Sequence, residues 1–202
     1  MSVDTLAYTI SIFLALKTIL FRTSRGYVMP RMNILNKSEQ EMFDVPPVFN
    51  SAERKRFCNF PNSLKEKTET LRKPSTKIGF LLSCGYFKAT KRFFKPEDYH
   101  QNDTAYVARI LNLLPDQFAP EQYVQSTRHW HQDIILEFYG YRRFDQQSLD
   151  AISEEIISMM RSQLKPRLIF WRCIDVLIRE RVQIPAYFQL SELILKAVNQ
   201  RK

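Results

Sequence analysis

Ten basic side chains interleaved with aromatics are the residues best suited to chemistry in this sequence. Arg54, Lys55, Arg56, Arg72, Lys73 and Lys77 precede an uncharged stretch, Ile78 to Phe87. Lys88, Lys91, Arg92 and Lys95 follow it, with Phe93 and Phe94 set among them. Lysine and arginine neutralise phosphates and release condensed counterions. Hydroxyls and helix N-termini add orienting contacts to the same backbone. The competing reading is that the "KRFFK" stretch packs its aromatics inward while its cations lie along apolar surface. For any single residue the two readings are equal, and for the cluster the charge distribution favours nucleic acid.

Other chemistries find less support. His129 and His131 are two residues apart, so on a helix they point in directions about 200° apart. No cysteine pair completes a four-ligand set with them, so no metal site is expected and both are read as polar helix-face residues. The adjacent Glu154 and Glu155 read as a solvated face. No glycine-rich phosphate loop and no nucleophile elbow occurs. Cys58 and Cys84 lie in apolar settings that suit a core better than reactivity. The residues therefore predict no enzyme and no cofactor.

The charge is uneven. The chain has 202 residues and a net charge of +9. From Arg22 to Lys95 there are 16 Lys+Arg against 6 Asp+Glu, and from Pro96 onward 13 against 14. A front half with all the excess charge favours a polyanionic partner, nucleic acid first and anionic membrane second. Three widely spaced cysteines, Cys58, Cys84 and Cys173, are no disulfide framework and fit a reducing cytosol. At the front, Thr5 to Phe21 is an apolar run that is short for a span and contains Lys17. It reads as a signal anchor, as an extra amphipathic helix, or as translation upstream of a natural start at Met29. The last of these is favoured.

The elements that position these residues read as helices. With 45% apolar residues and only four glycines, the chain can bury a core and shows little two-residue alternation. Helices are expected after Ser38, after Asn50 or Ser51, after Asn62, from Pro74, after Asn102 or Asp103, after Ser126 or Thr127, after Asp145 or Ser148, from Pro166, and beyond Pro185. Gly140 is expected to end one of them, and prolines punctuate the rest. In Ile78 to Phe87 a 3.6-residue period with a wide apolar arc outweighs a strand, where Gly79 and Gly85 would be costly. The helix from Pro166 is apolar nearly all round, which predicts a central position. The fold class is all-α, built of many helices. The expected organisation is an apolar leader at 1–28, a basic helical module at 29–115 and a second helical module at 116–202.

Four segments occur in an order that resembles a known family. "ILNKSEQEMFDVPP", "KIGFLLSCGYFKATKRFF", "STRHWHQDIILEFYGYRRFD" and "LIRERVQIPAYFQLSELI" are similar to the N-terminal region of the Tn-three family of replicative transposases. There the pattern is L-T-x-x-E with PP, then L-G-F-x-L-x-x-x-Y-F, then T-R-x-x-H with G-F or G-Y, and finally R-x-x-x-x-L-P. The resemblance implies helix-turn-helix-like modules that bind double-stranded DNA at transposon terminal inverted repeats. Thr127, Arg128 and His131 match the T-R-x-x-H positions, and Arg142 and Arg143 follow the glycine block. The resemblance also implies other transposase copies as partners, no small-molecule ligand and a cytoplasmic, nucleoid-associated protein. The family's acidic metal-binding triad lies far downstream of anything in this sequence, so no strand cutting or joining is expected. Two other classes remain: a membrane-anchored protein with a basic lipid-facing surface, and a helical interaction module with Arg172 and Arg179 in its partner surface.

Overall fold

The computed structural model describes residues 33–162 and 164–199. The apolar run from Thr5 to Phe21 and the start at Met29 lie outside the described residues. Among the described residues there are nine α-helices and no strand. They are α1 (Lys37–Asp44), α2 (Ser51–Phe57), α3 (Asn62–Glu69), α4 (Pro74–Thr90), α5 (Gln101–Ile110), α6 (Gln125–Tyr139), α7 (Gln146–Arg161), α8 (Pro166–Arg179) and α9 (Tyr187–Asn199). The all-α expectation holds.

Local chemistry sets most of the helix ends. Asn50 caps α2 by accepting from Ala52 N and Glu53 N, and Glu53 returns the bond to Asn50 N. Asn36, rather than Ser38, caps α1 in the same reciprocal way with Glu39. Pro74 opens α4, and Gly140, at φ 66°, closes α6. Asp145 caps α7. Asp103, a candidate cap for α5, lies inside that helix, which starts a turn earlier, after His100.

The helices divide between two cores. The first surrounds α4, in which every residue from Ile78 to Phe87 is buried. Helices α2, α3, α5 and α6 pack on it. Small residues let neighbours approach α4 closely. Gly79 faces the ring of Tyr123, and Gly85 faces Cys58 Sγ. Ser83 Oγ lies 2.8 Å from Tyr99 Oη. The second core joins α7, α8 and α9 with Ile34, Leu35 and Phe43 at the start of the described chain. Residues on either side of the expected division at 115 therefore share a core, since α6 packs on α4, whereas α1 packs with the last three helices.

Helix α8 is not central. It buries Ile169, Phe170, Cys173, Ile174, Val176 and Leu177. Leu168, Trp171 and Ile178 are exposed, with Leu164 just before them. Its neighbours lie on one side only, so an apolar sequence all round gives one covered face and one open stripe. The central helix is α4, whose glycines and serines admit partners on more than one side.

The cores meet at the segment after α4. Lys91 ends that helix in the left-handed conformation, at φ 61°. Its carbonyl accepts from Ile184 N at 3.0 Å. Arg142 and Val182 form an isolated parallel bridge. Within the second core, Asp44 Oδ1 accepts from Tyr187 N at 2.9 Å and ties α1 to α9.

Candidate nucleic-acid interface

Many of the cations expected at a phosphate surface are turned to the interior. Arg92 donates to the Phe43 carbonyl, and its guanidinium lies 4.1 Å from the centroid of Phe43 and 5.3 Å from that of Phe94. Burial lowers its pKa to about 10, with Asp44 acting in the opposite sense. Lys88 Nζ donates to the Arg56 carbonyl at 2.8 Å, which caps the C-terminal end of α2. Lys91 Nζ donates to the Lys88 carbonyl at 2.6 Å and sits 5.7 Å from the Tyr141 ring. Burial, then the charges of Arg181 and Lys88, pull its pKa down. Phe93 stacks on Phe87 at 4.8 Å, so the "KRFFK" stretch packs its aromatics inward.

Arg54, Arg142 and Arg143 are similarly committed. Arg54 Nη1 donates to Asp103 Oδ1 at 3.2 Å and to the Phe49 carbonyl at 2.5 Å. Asp103 is only 1% exposed, and its second oxygen accepts from Tyr86 Oη at 2.8 Å. Arg142 donates to Asp145 at 2.9 Å and to Ser148 at 2.7 Å. Arg143 donates to Asp133 at 2.7 Å and to the His129 carbonyl at 2.9 Å.

His131 is not the polar-face residue that its place in the sequence suggests. It is fully buried, with Nδ1 2.7 Å from Tyr123 Oη and the ring edge-on to Phe80. Its Nε2 has no hydrogen-bond partner. Burial lowers its pKa to about 4, so it is neutral at pH 7 and holds Tyr123 against Gly79.

Five of the remaining candidates, Arg72, Lys73, Lys77, Thr127 and Arg128, come together at one end of the first core. The ring pairs Phe80–His131, at 4.7 Å, and Phe87–Tyr139, at 5.8 Å, show that α4 and α6 run in the same direction. Their N-termini therefore share one pole. Neither N-cap, Lys73 or Val124, supplies a side-chain bond, and neither first turn contains an acid. Each terminus carries a positive partial charge of roughly half a unit. Ser75 ties the pole together, donating to the Gln117 carbonyl at 2.9 Å and accepting from Ala119 N at 3.0 Å.

Arg72 and Lys73 are at this pole, with Lys73 exposed and Arg72 exposed beside it, and Lys77, Thr127 and Arg128 are half-buried. Lys67, at the end of α3, stands 5.9 Å from the Trp130 ring on α6. Exposed Asp116 and Glu121, in the turns that lead into α6, offset part of the charge. Lys55 and Arg56 lie near the other end of α4, where Lys88 meets the Arg56 carbonyl. At 1.5 Å per residue, Lys73 and Lys88 are separated by about 22 Å along that helix. Lys95 is exposed beyond it, in the cleft between the cores.

Lys67, Trp130 and Asp103 escape a reading of the sequence. Lys67 sits in an alternating charged run that looks like any solvated face. The spacing of Trp130 suits a core position, yet it is 50% exposed. Asp103 reads as an N-cap candidate, and only its contact with Arg54 reveals a buried acid.

Burial raises the thiols of Cys58 and Cys173 to about 12 and that of Cys84 well above its ordinary value. Among the described residues, no group of three or more His, Cys, Asp or Glu is placed to hold a metal. No helix among them is long and apolar enough to cross a membrane. Residues 34–197 match the family model described as Domain of unknown function (DUF4158), and the chain belongs to that family. No curated protein matches the chain.

Proposed function

We propose that this chain binds double-stranded DNA through the shared N-terminal pole of α4 and α6. In this reading it is the region of a Tn-three type transposase that recognises the terminal inverted repeats. The observation that carries it is the convergence of Lys67, Arg72, Lys73, Lys77 and Arg128 on two uncapped parallel helix N-termini. Such an end offers backbone amides and long cationic side chains to the same phosphates. The helices α3 and α4, joined by the four-residue link Thr70 to Lys73, supply a helix-turn-helix-like pair at that end. The ordered family motifs support the transposase assignment. The role is recognition and assembly with other copies on DNA, with no catalysis by these residues.

The test is a fluorescence-anisotropy titration over a range of salt, using the element's own terminal repeat and a scrambled duplex. Affinity should fall steeply with salt and favour the repeat. Replacing Arg72, Lys73 and Lys77 with Ala should weaken binding to both duplexes. The salt slope should fall by about one for each phosphate that is no longer neutralised. Equal, salt-insensitive retention of the two duplexes would refute the reading.

A second reading, a helical interaction module, has its own observation. The exposed stripe Leu164, Leu168, Trp171 and Ile178 on and just before α8 lies beside exposed Arg172 and Arg179. Sedimentation at rising concentration without DNA checks it, and a monomer throughout would count against self-association by that stripe.

A further inference from the structure

Trp130 belongs to neither hydrophobic core. It stands on α6 half exposed, with Lys67 Nζ 5.9 Å from its ring centroid. Ser126 and Thr127 are one turn back on the same helical face, toward the positive pole. The nearest acid further along that face, Asp133, is held by Arg143 at 2.7 Å. An aromatic face beside a lysine is thus presented one turn from a helix terminus that favours anions, with its acidic neighbour already paired.

We propose that Trp130 is an aromatic contact for bound DNA, stacking on a base or sugar at a duplex end or opened step while Lys67 takes the neighbouring phosphate. This rests on the DNA-binding reading of the pole and adds the kind of DNA it prefers. Intact duplex hides the faces of its bases, whereas a frayed or extended end exposes them to an aromatic side chain. The contact tolerates different bases because every base has a π face. Lys67 Nζ lies over the indole, and its flexible stem lets it swing to the neighbouring phosphate as a base takes its place on the ring.

The chain contains two tryptophans, so Trp171→Phe leaves Trp130 as the only indole reporter. Trp171 lies on α8 in the other core, against Phe43 and Phe170. The Trp171→Phe protein is titrated with a blunt duplex and with the same duplex carrying a single-stranded extension, with anisotropy followed in parallel. Trp130 emission should be quenched on binding, and the extended duplex should bind more tightly. Trp130→Ala should lose about tenfold in affinity for the extended duplex, partly restored by Trp130→Phe. Unchanged melting temperatures show that both variants keep the fold. Binding by anisotropy with unchanged Trp130 emission and full affinity of Trp130→Ala would overturn this contact and leave the DNA-binding pole standing. Absence of anisotropy change with either duplex would overturn both.

Discussion

Replacing Arg54, on α2, with Met keeps an apolar stem at that position but removes the cation that faces Asp103. The carboxylate is 1% exposed and keeps one donor, Tyr86 Oη, at 2.8 Å. Breaking a buried ion pair from one side costs about 3–5 kcal/mol, since the remaining charge must stay unpaired, take up a proton or recruit water. The Arg54 side chain is 18% exposed, so water can reach part of the site and the low end, about 3 kcal/mol, is expected. For a chain of this length that corresponds to a fall of roughly 6–12 °C in melting temperature. Differential scanning calorimetry of the native protein, Arg54→Met, Asp103→Asn and the double variant gives the pairwise coupling, expected at about 1–3 kcal/mol. DNA affinity of Arg54→Met, measured well below its melting temperature, should stay within about twofold, because the guanidinium faces Asp103 rather than solvent. A melting temperature close to that of the native protein, with strongly reduced DNA affinity, would refute the structural role and return Arg54 to the phosphate surface.

Arg92→Ala should lower stability by about 2 kcal/mol through loss of the Phe43 carbonyl bond and the ring contact. Hydrogen exchange should then show reduced amide protection in α1, since Arg92 ties Phe43 to the first core. Gly79→Ala places a methyl 2.5 Å from Tyr123 Cδ1, and with Tyr123 fixed by His131 it should cost about 1–3 kcal/mol in chemical denaturation. His131 gives an acid dependence. Its folded pKa, about 4, lies below its ordinary value, so the unfolded chain binds the proton first. The contribution of neutral His131 is complete above about pH 6.5 and is lost as pH falls through about 4, with a total near roughly 3 kcal/mol. Between about pH 7.5 and 4.5 the melting temperature of His131→Asn should therefore fall less than that of the native protein, and equal slopes would contradict this linkage.

The helices were legible because their signals are local. Pro74 and Gly140 act on backbone groups within about four residues, so their roles follow from sequence order, and Asn50 and Asp145 are each one of two neighbouring cap candidates that it offers. The 3.6-residue period of the uncharged stretch likewise places Ile78 to Phe87 on a buried helix. At α1 the expected cap, Ser38, lies inside the helix and Asn36 caps it instead. The basic clusters were legible as composition but not as sites. Arg54 and Lys73 both carry one positive charge in a basic run, yet one neutralises Asp103 and the other is exposed.

By itself, then, the sequence determined an all-helical chain, a long buried helix after Pro74, inert apolar cysteines and an excess of positive charge in its front half. The tertiary structure alone decided which charges face outward. Arg92 meets Phe43 across 49 residues, and Lys88 reaches Arg56 across 32. Those contacts depend on how helices pack, and a lysine's charge is the same whether it caps a neighbouring helix or faces water. The parallel run of α4 and α6 is of the same kind. It comes from Tyr123 filling the notch at Gly79 and His131 packing on Phe80, and it sums two helix dipoles at one end. A pairing between helices so far apart in sequence has no signature in either helix read alone.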